Sequence, residues 1–422
     1  MNNNREKIKK FTPTTEERVV LHLLAVSIGS KLPPLSEEDR RTVDWERVMR
    51  ESIQQSVSPM VFEAASAYEA DIHPAIYRHW FSLVYSHLCH THRVLSSQEY
   101  LVDLMNRENH PFIILKGTSA AMYYPDPEKR CYGDVDFLID PTERDAVEKL
   151  LEDDGYNRCG MKHVCHVVYR RDYEHLEMHF EIAGIPFGEA GKRVREYFRD
   201  VEKRPLMQTI NGVEFPGPHP RDHAMILLLH MQHHMLGDGI GLRHLCDWGA
   251  FLNRTADEPF WETDVLPFVR EIGLMTYMKT MTKTAALYLG TVCPEWAKDA
   301  DEDLCADVVA DMYANGNFGR KDDLRSKSGM LIAENGKAGT QHGMVYNLAH
   351  TLHGAVLIQY PIVRRIPILY PFLYVYKVIR FLVLRVCGKR LPLMARIPYA
   401  VQRKNLYQQL KVFEPQEDEV GK

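Results

Sequence analysis

The 422-residue sequence has no C-x-x-C pair, no long apolar run and no strong charge of either sign. Its eight cysteines, Cys89, Cys131, Cys159, Cys165, Cys246, Cys293, Cys305 and Cys387, are scattered singly. That excludes a zinc ribbon, argues against a disulfide frame and suits free thiols in a reducing compartment. The first fifteen residues are polar and charged, without the apolar stretch of a secretory leader. The longest apolar stretch, Ile366–Tyr376, is interrupted by Pro367 and Pro371 and is too short for a membrane span. A cytoplasmic protein without stable membrane insertion is the expectation. The formal net charge of -5 lacks the footprint of a non-specific nucleic-acid binder, although a local basic groove stays open. What remains is an ordinary globular composition, 45% hydrophobic and 26% charged, enough for two or three domains or one large one.

Apolar periodicity divides the chain. Residues 1–109 read as a helical region after a loose tail over the first fifteen residues. Its first helix carries the stripe Val19, Val20, Leu23, Leu24 and Val26 and ends at Gly29. Residues 110–185 change character: a short apolar strand from Pro111 to Gly117, a helix from Thr118, a strand from Gly133 to Asp140 and a helix from Thr142 to Asp154. Two strands, Val164–Arg170 and His175–Ile182, follow. Residues 186–315 read as helical, with strong amphipathic segments at Asp222–Met235 and Leu242–Leu252. Residues 316–344 are a glycine-rich loop or linker, and residues 345–422 an aromatic, basic helical tail. The expected class is α+β: a small sheet with helices, flanked by N-terminal and C-terminal helical regions.

Three features of the small sheet carry chemistry together. Asp134 and Asp136 alternate on one strand, so both side chains share a face while Val135 and Phe137 point to the core. Two carboxylates that close repel unless a cation lies between them, and an all-oxygen pair suits Mg²⁺. Gly117 lies between a strand and a helix, followed by Thr118 and Ser119; glycine lets a phosphate approach, and a helix N-terminus with hydroxyls supplies donors. Downstream, His175, Glu177, His179 and Glu181 share one strand face, which brings a further carboxylate beside the pair.

A strand-Gly-hydroxyl-helix element, then Asp-x-Asp, then an acid on a later strand resembles the DNA polymerase beta-like nucleotidyltransferase superfamily. More closely, the Leu-Lys-Gly start at Leu115, the Tyr-Tyr-Pro-Asp-Pro turn at Tyr123, the Arg-x-x-Gly-Asp-Val-Asp strand from Arg130, the Glu-Met-His strand from Glu177 and the stretch from Ile240 to Trp248 resemble the bacterial uncharacterised nucleotidyltransferase family. The specific matches span roughly residues 110–250. The resemblance implies that Asp134 and Asp136 bind two Mg²⁺ (or Mn²⁺) ions. Glu177 would complete the cluster and help activate the acceptor hydroxyl, and Gly117, Thr118 and Ser119 would hold the phosphates. It implies transfer of a nucleoside monophosphate from a nucleoside triphosphate to a hydroxyl on a small molecule, a protein or an RNA end; the negative net charge disfavours RNA. The superfamily shows Gly-Gly or Gly-Ser where this chain has Gly117-Thr118, which leaves the hydroxyl role shared between Thr118 and Ser119. Glu181 shares the face of Glu177 and stays an alternative third acid.

Each candidate has a plainer reading. Lys116 and Arg130 would contact the triphosphate as a point charge and a fork, or Lys116 snorkels from a strand end and Arg130 pairs with Asp126 or Glu128. Arg243 and Asp247, four apart on a helix, make a salt bridge or present Arg243 to phosphate with Asp247 holding it. His230 and His234 have metal-compatible spacing but lack the Glu of a zincin motif, and they read as satisfied or surface histidines. Two other functional classes remain open. One is a non-catalytic nucleotide-binding module. The other is a membrane-surface or partner-binding protein acting through the tail that carries Arg364, Arg365, Lys377, Arg380 and Arg385.

Overall fold

The computed structural model describes residues 11–159, 165–329, 333–334, 337–338, 349, 352–354, 356–357, 359–386 and 394–414. Most of the expected loose tail, the expected strand start at Val164 and much of the expected linker and of the segment after residue 345 lie outside the described residues. Where the N-terminal segment is described it is pinned, since Phe11 stacks on Tyr313 with ring centroids 5.9 Å apart. Cys387 is likewise outside, and none of the seven described cysteines is in a disulfide.

The ends of the N-terminal helices are set by local chemistry, and of the stripe expected on the first of them Val26 is exposed where the others are buried. Helix α1 (Thr15–Ser27) opens on a capping box in which Thr14 and Glu17 satisfy each other's backbone N–H groups, and Gly29 follows it with φ +90°. Helices α2 (Glu37–Thr42), α3 (Trp45–Gln54) and α4 (Ser58–Ser66) lead to α5, a 34-residue helix from Pro74 to Arg107. Helix α5 belongs to two cores. Its Trp80 and Val84 pack among the N-terminal helices, whereas Val94, Leu101, Val102 and Met105 pack under the sheet.

The sheet has five strands in the order β1-β2-β5-β4-β3. These are β1 (Phe112–Ile114), β2 (Val135–Ile139), β3 (Asn157–Cys159), β4 (His166–Arg171) and β5 (Glu174–His179). Only β2 and β5 run parallel; the other pairs are antiparallel. The single-turn helix α6 (Thr118–Ala121) follows β1, and α7 (Arg144–Asp153) links β2 to β3. Val135, Phe137 and Ile139 face the core shared with α5, and so do Leu176 and Met178. Three expectations need correction here. The helix at Thr118 is one turn long, β5 ends at His179 so that Glu181 lies beyond it, and an edge strand β3 is present that local pattern did not announce.

After helix α8 (Gly188–Tyr197) a further correction applies, because residues 206–217 are not helical. Strands β6 (Leu206–Ile210) and β7 (Val213–Gly217) form a hairpin whose turn is Asn211-Gly212, with φ +49° and +81°. Both turn positions need positive φ, which this dipeptide supplies and which matches the twist of the strands. Phe215 then joins the core under the sheet. Helices α9 (Pro220–Leu236), α10 (Leu242–Thr255), α11 (Leu266–Glu271), α12 (Met275–Leu289) and α13 (Glu302–Asn315) follow. They share a single core with α1, α3 and α4, and the helix Ile397–Leu410 enters that core through Leu406, Tyr407 and Leu410.

His223 on α9 makes the fold acid-sensitive. It is buried, stacks on Tyr123 with centroids 5.2 Å apart, and neither ring nitrogen has a hydrogen-bond partner among the described residues. Burial pushes its pKa from 6.5 down to about 3. The unfolded chain therefore takes up a proton that the folded ring refuses. This contribution to stability is intact above pH 6.5 and declines by about 1.4 kcal/mol per pH unit as the pH falls towards 3. Denaturation in urea at pH 7, 6 and 5 should show this slope, and His223→Phe should flatten it by about one proton. An unchanged slope would place the acid sensitivity elsewhere.

Candidate active site

Strand register assembles the carboxylates. Asp136 on β2 lies directly opposite Glu177 on the parallel β5, and Asp134 sits one strand step before Asp136, just ahead of β2. The backbone N–H of Leu115 donates to the Asp136 carbonyl at 2.9 Å, which extends the β1 ladder and sets Lys116 beside the pair. The Lys116 Nζ lies 2.8 Å from Asp136 Oδ1, and His179 Nε2 lies 2.9 Å from the same oxygen. His179 is also 3.6 Å from Glu177 Oε2. Oxygens of Asp134 and Glu177 gather with a nitrogen of His175, and oxygens of Asp136 and Glu177 with one of His179, each group within 4.8 Å.

The electrostatics of these groups differ by neighbour. Burial and then the Asp136 and Glu177 carboxylates raise the pKa of Asp134 above the ordinary carboxyl range. Burial works against ionisation of Asp136, but Lys116 and His179 overcome it and hold this carboxyl well below its usual value. Burial likewise opposes the charge on His179, yet its bond to Asp136 raises the ring to about 10, so it is a cation at neutral pH. Asp134 is therefore a carboxyl with more negative charge around it than the protein's own cations balance. A hard divalent cation with oxygen ligands fits that deficit and that donor set.

The carboxylates open on a cleft of about 570 Å³ whose walls come from distant parts of the chain. Ile53, Ser56 and Ser58 line it from the N-terminal helices, and Leu83 and His87 from α5. His230 and His234 line it from α9, Arg243 from α10, and Phe318 and Arg320 from the turn after α13. Arg243 donates to the Cys131 carbonyl at 3.4 Å and lies over the Phe318 ring at 5.2 Å, with its Nε lacking a partner among the described residues. Arg320 donates to the Ile53 carbonyl at 3.2 Å. His230 and His234 face each other through their Nε2 atoms at 2.9 Å, and burial keeps both well below the ordinary histidine pKa. Burial also pushes His87 down to about 4.

Of the residues singled out by sequence, Asp134, Asp136, Glu177, Lys116, Gly117, Arg130 and Arg243 line this one cleft. Thr118 and Ser119 do not. Their hydroxyls turn inward, Thr118 Oγ1 donating to Gln98 Oε1 at 2.5 Å and Ser119 Oγ to the Ile114 carbonyl at 2.8 Å. Gly117 makes this turn with φ +64°. Glu181 is paired with Arg195 and lines a different depression. Arg130 reaches the cleft wall but is committed to neither Asp126 nor Glu128. It forms a buried fork with Asp247, Nε to Oδ1 at 2.7 Å and Nη2 to Oδ2 at 2.8 Å. Tyr124 donates to Asp247 at 2.7 Å as well. Asp247 thus fixes Arg130 and not Arg243, because the planar fork of Arg130 matches its carboxylate from across the core.

Phe318 and Arg320 were missed because residues 316–344 read as linker. Gly316-Asn-Phe-Gly-Arg holds the signal, an aromatic between two glycines with an arginine directly after them; Phe318 adopts φ +54°, unusual for a bulky side chain. His230 and His234 were noticed, but the reading as satisfied or surface side chains did not place them on the cleft.

The inward hydroxyls give a direct prediction. Ser119→Ala should cost about 0.5–1.5 kcal/mol of stability, the value of one buried neutral hydrogen bond, and leave nucleotide affinity unchanged. Denaturation and nucleotide titration of the same variant check this, and a large affinity loss with unaltered stability would contradict the inward geometry.

A small mixed sheet with carboxylates at the strand ends, opening on a cleft between helical layers, is the architecture of a nucleotidyltransferase. The chain belongs to the uncharacterised nucleotidyltransferase family, whose model matches residues 41–290. No curated protein matches the chain. The matched span includes the N-terminal helices α3, α4 and α5 together with the sheet and α9 to α12, and so contains most of the cleft.

Proposed function

We propose that the protein transfers a nucleoside monophosphate from a nucleoside triphosphate to an acceptor hydroxyl, with Asp134, Asp136 and Glu177 holding Mg²⁺ or Mn²⁺. The observation that carries this reading is the β2–β5 register, which sets Asp136 against Glu177 with Asp134 one step away, all at one cleft. Asp134, Asp136 and Glu177 would hold the ions, which would supply charge neutralisation for an in-line displacement. The bond formed joins the acceptor oxygen to the α-phosphorus; the bond broken releases pyrophosphate.

The chain's own groups divide the remaining work. Lys116 and His179 keep Asp136 ionised and fix its side chain. Glu177, less buried than Asp136, would orient the acceptor hydroxyl. Arg243 and Arg320 set positive charge on the wall facing the carboxylates, where a triphosphate needs it. Arg130, tied to Asp247, shapes the wall and is not a free phosphate fork. Any part taken by Thr118 and Ser119 falls to their backbone N–H groups, since the hydroxyls are occupied. Phe318 offers an apolar face beside Arg243 for a base or an acceptor.

The test is incubation of the protein with each α-labelled ribonucleoside triphosphate, Mg²⁺ and a cell extract as acceptor source, beside Asp134→Ala/Asp136→Ala. Label transfer or pyrophosphate release that disappears in the double variant supports the reading. Absence of both transfer and Mg²⁺-dependent nucleotide binding, with no difference between the two proteins, sinks it.

A further inference from the structure

The helix Tyr370–Val386 is bare on one side. Phe372, Val375, Tyr376, Ile379 and Val383 are all exposed, Phe372 at 69%, and their spacing of three and four residues puts them on one stripe. The turns before the helix extend the patch, with Ile362, Ile366 and Ile368 exposed. The other side of the helix is engaged. His353 stacks on Tyr370 with centroids 5.2 Å apart and bonds Tyr374, and Lys377 bonds Gln359 and lies over the Tyr360 ring at 5.6 Å. The apolar stripe is thus turned outward by contacts that hold the opposite face.

Charge is segregated in the same stretch. From Asn335 to Phe413 the sequence has twelve Lys or Arg and no Asp or Glu, so all 57 acidic residues lie elsewhere. Arg365 and Arg380 are exposed, and helical geometry sets Arg380 beside the stripe. No helix among the described residues is long and apolar enough to cross a membrane. Lys377 and Arg380 sit in the middle of this one, where a spanning segment would carry apolar side chains.

From the stripe and the charge together we infer that Tyr370–Val386 docks on an anionic lipid bilayer, lying in the plane of the interface. Phe372, Val375, Ile379 and Val383 enter the acyl boundary, tyrosines rest at the headgroup level, and the basic residues meet anionic headgroups. A protein partner would need a shaped groove; a bilayer needs only a stripe of this kind with cations beside it.

The test is co-sedimentation of the full chain with vesicles of phosphatidylcholine alone and of phosphatidylcholine mixed with phosphatidylglycerol. Binding should be at least tenfold tighter to the mixed vesicles and should weaken between about 0.1 M and about 1 M salt as screening shortens. The variant Phe372→Ser/Ile379→Ser/Val383→Ser should lose at least tenfold in binding with an unchanged circular dichroism spectrum. Equal binding to both vesicles, or a triple variant that binds as well as the parent, overturns the inference. So does a dimer that ignores vesicles and becomes a monomer in the triple variant, which would assign the stripe to a second copy.

Discussion

Asp136→Asn should lower nucleotidyl transfer by on the order of 10³-fold or more, about 4 kcal/mol of transition-state stabilisation. The reason is geometric. Asp136 is the carboxylate that Lys116 and His179 both grip, and its strand register brings Glu177 to it. An amide in its place accepts weakly from two cations and is a poor ligand for a divalent ion. Glu181→Gln is the matched control. Its carboxylate pairs with Arg195 outside the cleft, and the rate should stay within about twofold of the parent, as for surface changes with little energetic effect. Steady-state kinetics of both variants, with unfolding curves to confirm that each is folded, make the comparison. A folded Asp136→Asn protein with parental activity would remove the carboxylates from the mechanism.

Asp247→Ala should destabilise the fold by about 3–5 kcal/mol, because it strands the Arg130 guanidinium in the interior and leaves the Tyr124 hydroxyl without its acceptor. Asp247 and Arg130 have side-chain exposures of 8% and 5%, so water cannot replace the lost partner where the fork now lies. Burial opposes the charge on both groups, yet each holds the other ionised. The double variant Arg130→Met/Asp247→Leu removes both charges and should recover most of the loss, since a buried pair exchanged for apolar groups is often near neutral. Urea unfolding of the two variants reads this out. A loss below about 1 kcal/mol for the single change would mean that Arg130 swings into the cleft and is solvated there.

The parts of this structure legible from sequence were those governed by short-range rules. Alternation placed Asp134, Asp136 and Glu177 on strand faces, and period 3.6 found α1, α9 and α10 to within a few residues. Long-range partnership was not legible. That Asp247 serves Arg130 is a contact between residues 117 apart, and an i, i+4 spacing suggested Arg243 in its place. That Thr118 and Ser119 turn inward depends on Gln98 and Ile114, which no local pattern links to them. The β6–β7 hairpin is different: Asn211-Gly212 between alternating residues announced it, and the surrounding helical signal masked it. Phe318 and Arg320 lay in a segment whose glycines read as a spacer, although such segments are where binding residues are often carried.

The cleft joins Ile53, Asp134, Arg243 and Arg320, so its walls are separated along the chain by most of the described length. During synthesis the carboxylates emerge from the ribosome long before Phe318 and Arg320 do. A nascent chain stopped after the sheet has the carboxylates without Arg243 and Arg320, and the isolated segment 110–185 lacks the N-terminal wall as well. Transfer should therefore switch on late in translation, and fragments meant to isolate the chemistry need to extend past residue 320.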